Sequence, residues 1–307
     1  MAGLNISIAF FVSMVAICEV CRRLPKRLCP SGLYQSVVKE FAASLQLASC
    51  CQELRMLVEI GPWGGGFGPD VVLTLLFLLF LTHGLSFAGA SGNPSVSFQE
   101  FLTKDSSCLS TLGKVISQYA GMEAAKVLTT RYWAWELTDF HMIQNLMAQD
   151  CSSPLHSSVS QGMFVEAVCA LLFHFTLLRF HHSHAMYRVP AVALIVTVLA
   201  YTAGPYTAAF FNPTLALTLT FHCSGVTLLE NITVYCLGPI VGMVVAVFLY
   251  HGNIPLLFQR NLLYYQKSKY RTPKGKVASL KQDEAKDLWD PKKGQPRSKP
   301  DHGHRTE

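Results

Sequence analysis

Two Asn-Pro pairs, Asn93-Pro94 and Asn212-Pro213, place the tightest limits on how this chain can fold. Each pair follows a long apolar run, and the two pairs occupy corresponding places in the two halves of the sequence. Asn is a favourable N-cap and Pro suits the first helical position, so each pair predicts the start of a helix. Two such starts predict half-helices that enter a bilayer from opposite sides, with their positive dipole ends meeting near the midplane.

The charge content indicates that lipid surrounds most of the chain. Charged residues make up 14% of the 307 residues, whereas soluble domains carry about 25%. Residues 1–258 contain 12 basic and 13 acidic side chains, and 13 of the 25 Lys and Arg residues lie from Arg260 onward. The net charge of +6 therefore comes from the tail, and we expect no nucleic-acid partner.

Apolar stretches divide the chain into candidate membrane helices. A helix needs about 20 residues to cross the hydrocarbon core, and six of the seven stretches reach that length comfortably. The weakest is 111–133, which contains four charged residues and is kept as a span because the repeat requires it. The first stretch is surplus to a six-span scheme, and it could cross the membrane or lie in the interface. The seven stretches are 4–21, 36–58, 70–90, 111–133, 162–180, 189–209 and 231–250.

Basic residues set the expected orientation. They cluster in 22–39, flank 181–188 and fill the tail, whereas 59–69, 134–161 and 222–230 contain neither Lys nor Arg. The positive-inside rule therefore places the basic segments, together with 91–110 and 251–307, in the cytoplasm. The three segments without Lys or Arg are expected outside or in a lumen.

The chain is expected to have three parts. Residues 1–35 form an N-terminal apolar segment and basic linker, and 36–258 form a channel-like domain with repeats 36–134 and 162–258. Residues 259–307 are too polar to bury a core and are predicted to be a disordered, basic, cytoplasmic tail. Lys and Arg just beyond the last span would attract anionic lipid headgroups.

Few side chains outside the Asn-Pro pairs suggest chemistry. Glu40 and Glu166 stand at matched places in the repeats, and a carboxylate in a membrane needs partners. We expect both to accept hydrogen bonds from backbone N–H groups of the loops before the half-helices. The ten Cys imply neither a zinc site nor a disulfide framework, and His181, His182 and His184 are read as solvated loop residues. No metal, cofactor or enzyme activity is expected.

Taken together, these residues resemble the aquaporin family. The resemblance rests on the paired Asn-Pro starts, the repeated glutamates, Tyr206-Thr207, and the run 234–242, in which Gly238 and Gly242 permit close helix packing. Ser95 and Thr214 replace the usual Ala of the two signatures, and Cys223 follows Thr214 by nine residues. These departures resemble the divergent, intracellular superaquaporins, as does the extra N-terminal apolar segment.

The resemblance implies an all-α membrane protein with six transmembrane helices, two re-entrant half-helices and an extra N-terminal apolar helix. It also implies a homotetramer in intracellular membranes. Each protomer would conduct water or small neutral solutes, and the Asn93 and Asn212 amides would donate hydrogen bonds to passing oxygen atoms. Two helix dipole ends would repel cations.

The expected outer filter departs from the family pattern. The family carries Arg three residues after the second signature Asn, where this chain has Leu215. The other filter positions map to Val72 or Leu73, to Ala200 and to Ala209, all of them apolar. Such a constriction could dewet and close, or it could admit larger solutes. Water, glycerol and hydrogen peroxide stay open as solutes, and a non-conducting scaffold or regulator is the alternative function.

Overall fold

The computed structural model describes residues 2–28, 32–60, 67–147, 151–220, 223–258 and two short strands near the C-terminus. The chain divides into two compact units, Met1–Asn261 and Leu262–Glu307. In the second unit Trp289–Asp290 pairs antiparallel with Gln295–Pro296. The rest of the tail predicted over 259–307 lies outside the described residues.

Apart from an isolated β-bridge between Ser152 and Ser224, the regular structure described in the first unit is helical. The elements, in chain order, are α1 (Ala2–Leu28), α2 (Gly32–Ile60), α3 (Pro69–Ser86), α4 (Pro94–Leu102), α5 (Cys108–Trp133), α6 (Asp139–Met147), α7 (Val159–Phe180), α8 (Ala185–Thr207), α9 (Pro213–Thr220), α10 (Leu228–Ile232), a π-helical turn (Thr233–Leu237) and α11 (Gly238–His251). The all-α prediction is confirmed. The short helix α6 was not predicted.

Four of these helical segments are long and apolar enough to cross a membrane: Gly3–Leu24, Val159–Phe180, Ala185–Thr207 and Leu228–His251. The apolar part of α3 is shorter, while α2 and α5 have the length but not the composition. The polarity of α2 has a structural reason. Its side chains of Glu40, Gln46 and Glu53 are at most 2% exposed, so they face protein and not lipid.

The N-terminal helix α1 packs along α2, and its length and composition suit a membrane span. Phe10, Phe11, Met14 and Cys18 are buried in the same core cluster as residues of α2 and α5. The ring of Phe10 stacks on Tyr132 of α5 with 4.3 Å between centroids. This extra helix is therefore part of the helical body.

The two halves use the same device to bring helices close together. On α5, a Cβ at Gly121 would collide with the carbonyl oxygen of Phe41 on α2. On α11, a Cβ at Gly242 would collide with the carbonyl oxygen of Ala167 on α7, and one at Gly238 would come within 2.9 Å of the Met163 carbonyl. Small residues at these crossings let the backbones of α2 and α5, and of α7 and α11, lie in contact.

Candidate functional site

Two short helices begin at the signature Asn residues. Asn93 has an extended backbone, and its Oδ1 accepts a hydrogen bond from the Ser95 N–H at 2.9 Å, which caps α4. The Oδ1 of Asn212 accepts from the Thr214 hydroxyl at 3.1 Å and from the Leu215 N–H at 3.4 Å. The helices contain 9 and 8 residues. At about 1.5 Å per residue, each covers a little under half of a 30 Å hydrocarbon core.

The N-termini of these half-helices meet. Nδ2 of Asn93 donates to the carbonyl oxygen of Phe211 at 3.2 Å, and Nδ2 of Asn212 donates to the carbonyl oxygen of Gly92 at 2.8 Å. One hydrogen of each amide thus holds the opposite loop, which the sequence did not predict. Because an amide nitrogen carries two hydrogens, each Asn keeps a second N–H that can face a passing oxygen.

Glu40 supports the loop before the first half-helix. Its carboxylate is 2% exposed and accepts hydrogen bonds from the backbone N–H groups of Ser91 at 3.2 Å and Gly92 at 3.0 Å. The side chain of Gln118 on α5 donates to the same carboxylate at 2.8 Å. These bonds satisfy backbone groups that would otherwise lie unpaired at membrane depth.

Glu166 supports the second loop in the same way. Its carboxylate accepts from the backbone N–H groups of Phe210 at 3.1 Å and Phe211 at 2.6 Å, and from the hydroxyl of Thr207 at 2.6 Å. This loop is conformationally strained, because Ala208, Ala209 and Phe211 all have positive φ. Non-glycine residues in that region persist only where the surroundings fix them, and Glu166 supplies the fixing contacts.

The candidate filter residues are apolar and mostly buried. Val72, Ala209 and Leu215 are 7–8% exposed, whereas Leu73 and Ala200 are half-buried. Val72 and Leu215 belong to one buried apolar cluster, and Ala209 lies in a neighbouring cluster with Phe211. Val72 and Leu73 lie on α3. Ala209 lies in the loop before α9, and Leu215 lies on α9. Ala200 lies on α8.

Cys223 forms a disulfide with Cys151, which corrects the expectation that the chain contains no disulfide framework. The two cysteines lie in separate loops that also pair through their backbones. The Ser153 N–H donates to the Ser224 carbonyl, and the Ser224 N–H donates to the Cys151 carbonyl, both at 2.9 Å. Sequence spacing could not reveal this pair, because 72 residues separate its members.

A cavity of about 510 Å³ opens on the side of the half-helices that the sequence assigns to the cytoplasm. Its wall combines aromatic rings with the polar side chains of His83, Ser91 and Gln99, while His181 and His182 lie on its rim. His83 and Gln99 were missed in the sequence, because nothing in a single chain distinguishes a cavity-lining polar residue from a packed one. Among the described residues, no group of three His, Cys, Asp or Glu side chains could hold a metal ion.

Comparison with known proteins assigns the family. The profile of the Major intrinsic protein family matches residues 33–250. The chain belongs to this family. It is 58% identical to aquaporin-12 of Mus musculus over 278 residues, which cover 91% of this chain and 96% of that protein. It is 28% identical to aquaporin-11 of Homo sapiens over 257 residues, or 84% of this chain and 93% of that protein.

The fold also matches a solved structure of the aquaglyceroporin from Plasmodium falciparum. The TM-score is 0.57 at 18% sequence identity, covering 74% of this chain and 99% of that one, so the likeness concerns the fold alone. The resemblance to the superaquaporin branch and the membrane architecture are confirmed. The protein is an integral membrane protein from a family of channels, not an enzyme.

Proposed function

We propose that this protein is a passive membrane channel for water or small uncharged solutes. One observation carries the proposal: the half-helices α4 and α9 are joined at their N-termini by reciprocal hydrogen bonds from Asn93 and Asn212 to the opposite loops. This contact puts two positive helix ends and two spare amide N–H groups at one place. Such a place favours oxygen acceptors.

Electrostatics explains why ions would be excluded. Each helix end carries about +0.5 charge, so a monovalent cation between them faces about one unit of like charge. At about 4 Å and an effective dielectric of 20, the repulsion is about 4 kcal/mol. A barrier of that size slows passage about a thousandfold. A neutral solute does not meet this barrier.

The outer constriction of the proposed channel would be formed by Val72 or Leu73, by Ala200 and Ala209, and by Leu215. These side chains offer no hydrogen bond to a solute and no fixed charge. Small residues at two positions support passage of solutes larger than water, and glycerol and hydrogen peroxide are candidates beside water.

A second candidate is a non-conducting protein with the same fold, acting as a scaffold or regulator in an intracellular membrane. The observation that favours it is the burial of Val72 and Leu215 together in one apolar cluster. A constriction of this composition can dewet and stop flow.

Proteoliposomes containing the purified full-length protein separate these candidates. We expect stopped-flow light scattering to show faster osmotic shrinkage, or faster glycerol or peroxide entry, than in empty liposomes. Asn212→Asp should abolish the increase, because a carboxylate removes the N–H that bonds Gly92 and places negative charge against its carbonyl oxygen. Asn5→Asp, at an exposed position on α1, is the matched control. Rates at the empty-liposome level for all three solutes would eliminate the channel.

Assembly and location are further proposals. We place the protein in intracellular membranes as a homotetramer, with the tail in the cytoplasm and in contact with lipid headgroups. The similarity to the aquaporin-11 and aquaporin-12 sequences supports this choice. The mass of the detergent-solubilised particle, measured by light scattering with subtraction of the detergent, tests the tetramer.

A further inference from the structure

A row of buried, hydrogen-bonded polar side chains runs from the extra helix α1 to the wall of the cavity described above. Arg22 on α1 is 1% exposed, Gln46 on α2 is fully buried, and His83 on α3 is 2% exposed. Nη1 of Arg22 lies 3.0 Å from Oε1 of Gln46, and Nε2 of Gln46 lies 2.9 Å from Nδ1 of His83. His83 lines the cavity.

Donor and acceptor chemistry fixes the orientation of each side chain in this row of hydrogen bonds. A guanidinium only donates, so Arg22 requires the oxygen of the Gln46 amide to face it. The NH₂ group of Gln46 must then face His83, and since NH₂ only donates, Nδ1 of His83 has to accept. Gln46 also donates to the Ser86 hydroxyl at 3.1 Å, which agrees with this orientation. A neutral imidazole that accepts at Nδ1 carries its proton on Nε2.

The proton on Nε2 has no acceptor. Among the described residues no group bonds to His83 Nε2, and the atom is closed to bulk water. Buried polar groups are nearly always paired, so an unpaired donor in a cavity wall needs an explanation. The rings of Phe80 and Phe87, whose centroids lie 5.6 Å and 5.0 Å from that of His83, line the same cavity. A solute that displaces one of these rings would meet a ready hydrogen-bond donor beside an apolar surface.

We propose that His83 Nε2–H binds the oxygen of an uncharged hydroxyl-bearing solute in this cavity, and that Arg22 and Gln46 are positioning residues that fix its tautomer. The site is a specificity determinant on the opposite side of the half-helices from the expected outer filter. The inference rests on the proposed channel function, and it gives α1 a part in solute selection. Water and polyols share the required chemistry, and the aromatic wall favours a polyol.

The flux test compares water and glycerol in proteoliposomes of the full-length protein. His83→Phe retains an aromatic ring but removes the donor, and we expect it to lower the ratio of glycerol to water permeability at least threefold. His83→Gln supplies an N–H near the position of Nε2 and should retain most of the wild-type ratio. His156→Phe, at an exposed loop position remote from the cavity lining, is the control. A threefold fall in both permeabilities would also support the site and would assign it to water as well as to glycerol.

Unchanged permeabilities in a folded His83→Phe protein, with an active wild type, would overturn the inference and leave the channel proposal intact. An inactive wild type would instead defeat the channel proposal. The site is then judged by ¹⁵N NMR of histidine-labelled protein in detergent, which needs no flux. We expect His83 as a single Nε2–H tautomer, a shift of its Nε2 signal on glycerol addition, and mixed tautomers in Arg22→Met. A His83 signal that does not respond to glycerol would overturn the inference whatever the flux.

Discussion

At the scale of single residues, Glu166 decides whether the second half-helix can form in its observed place. The loop that it supports contains three non-glycine residues with positive φ, a conformation that costs about 1–3 kcal/mol for each residue. Two backbone N–H groups of this loop find their acceptors in the Glu166 carboxylate. The strained backbone and the two N–H groups both depend on this one buried side chain, and inside a membrane no water could replace its contacts.

Replacing Glu166 by Ala should therefore destabilise the protein severely. Two buried N–H groups lose their acceptor, at about 1–3 kcal/mol each, so we expect a loss of about 2–6 kcal/mol in the free energy of unfolding. The loss of stability is measured by heating the detergent-solubilised protein and using size-exclusion chromatography to monitor how much folded protein remains. Glu59→Ala is the matched control, because Glu59 is exposed and pairs with Arg55 at the surface. Equal stability of the two variants would contradict the anchoring role of Glu166.

At the scale of helices, α1 is fixed to the body by a third buried carboxylate, Glu53, which has no counterpart in the pair formed by Glu40 and Glu166. Glu53 on α2 is fully buried and accepts hydrogen bonds from the Ser7 hydroxyl of α1 at 2.6 Å and from the Trp133 indole of α5 at 2.7 Å. Nε2 of His141 on α6 lies 3.1 Å away. Four helices thus converge on one side chain, and this contact explains why a polar helix such as α2 can stand in the middle of the unit.

Ser7→Ala should loosen α1. A hydrogen bond to a charged group contributes about 1.5–3 kcal/mol, and we expect a loss of that size in the free energy of unfolding. We also expect limited proteolysis to cleave the segment that follows α1 in the sequence faster in this variant than in the wild type. Ser13→Ala changes the same residue type on the exposed side of the same helix and should stay within about 0.5 kcal/mol of wild type. Indistinguishable behaviour of the two variants would show that Ser7 does not hold the helix.

The sequence predicted the elements that follow local rules and missed those that depend on distant partners. The Asn-Pro pairs at Asn93 and Asn212 predicted the starts of α4 and α9, because an N-cap residue and a following Pro are local signals. The charged helix α5 was recovered only because the repeat required it. Glu53 could not be interpreted, since its meaning depends on Ser7 and Trp133, which reach it only after folding. The same holds for His83, whose role depends on the cavity beside it.

At the scale of the whole molecule, the disulfide and the charge distribution predict the same orientation of the protein in the membrane. Cys151 and Cys223 lie in loops that the positive-inside rule places outside or in a lumen. Disulfides persist in oxidising compartments and are rare in the cytosol. Cys108, which is exposed and free, lies in 91–110, which is expected in the cytoplasm, and the exposed, free Cys21 directly precedes the basic segment 22–39. The pattern of cysteine oxidation should therefore map the two faces of the membrane.

Sealed microsomes with their cytoplasmic face outward allow this orientation to be tested. We expect a membrane-impermeant maleimide to label Cys108 without detergent, because this thiol is exposed and the charge pattern predicts that its loop faces the cytoplasm. Cys151 and Cys223 should be labelled only after detergent and a reductant have both been added, since their thiols are enclosed and oxidised. Peptide mass spectrometry identifies the labelled sites, and a Cys108→Ser variant controls for assignment of the first signal. Labelling of Cys151 in intact vesicles treated with a membrane-impermeant reductant alone would contradict this topology and would place the cavity lined by His83 on the lumenal side.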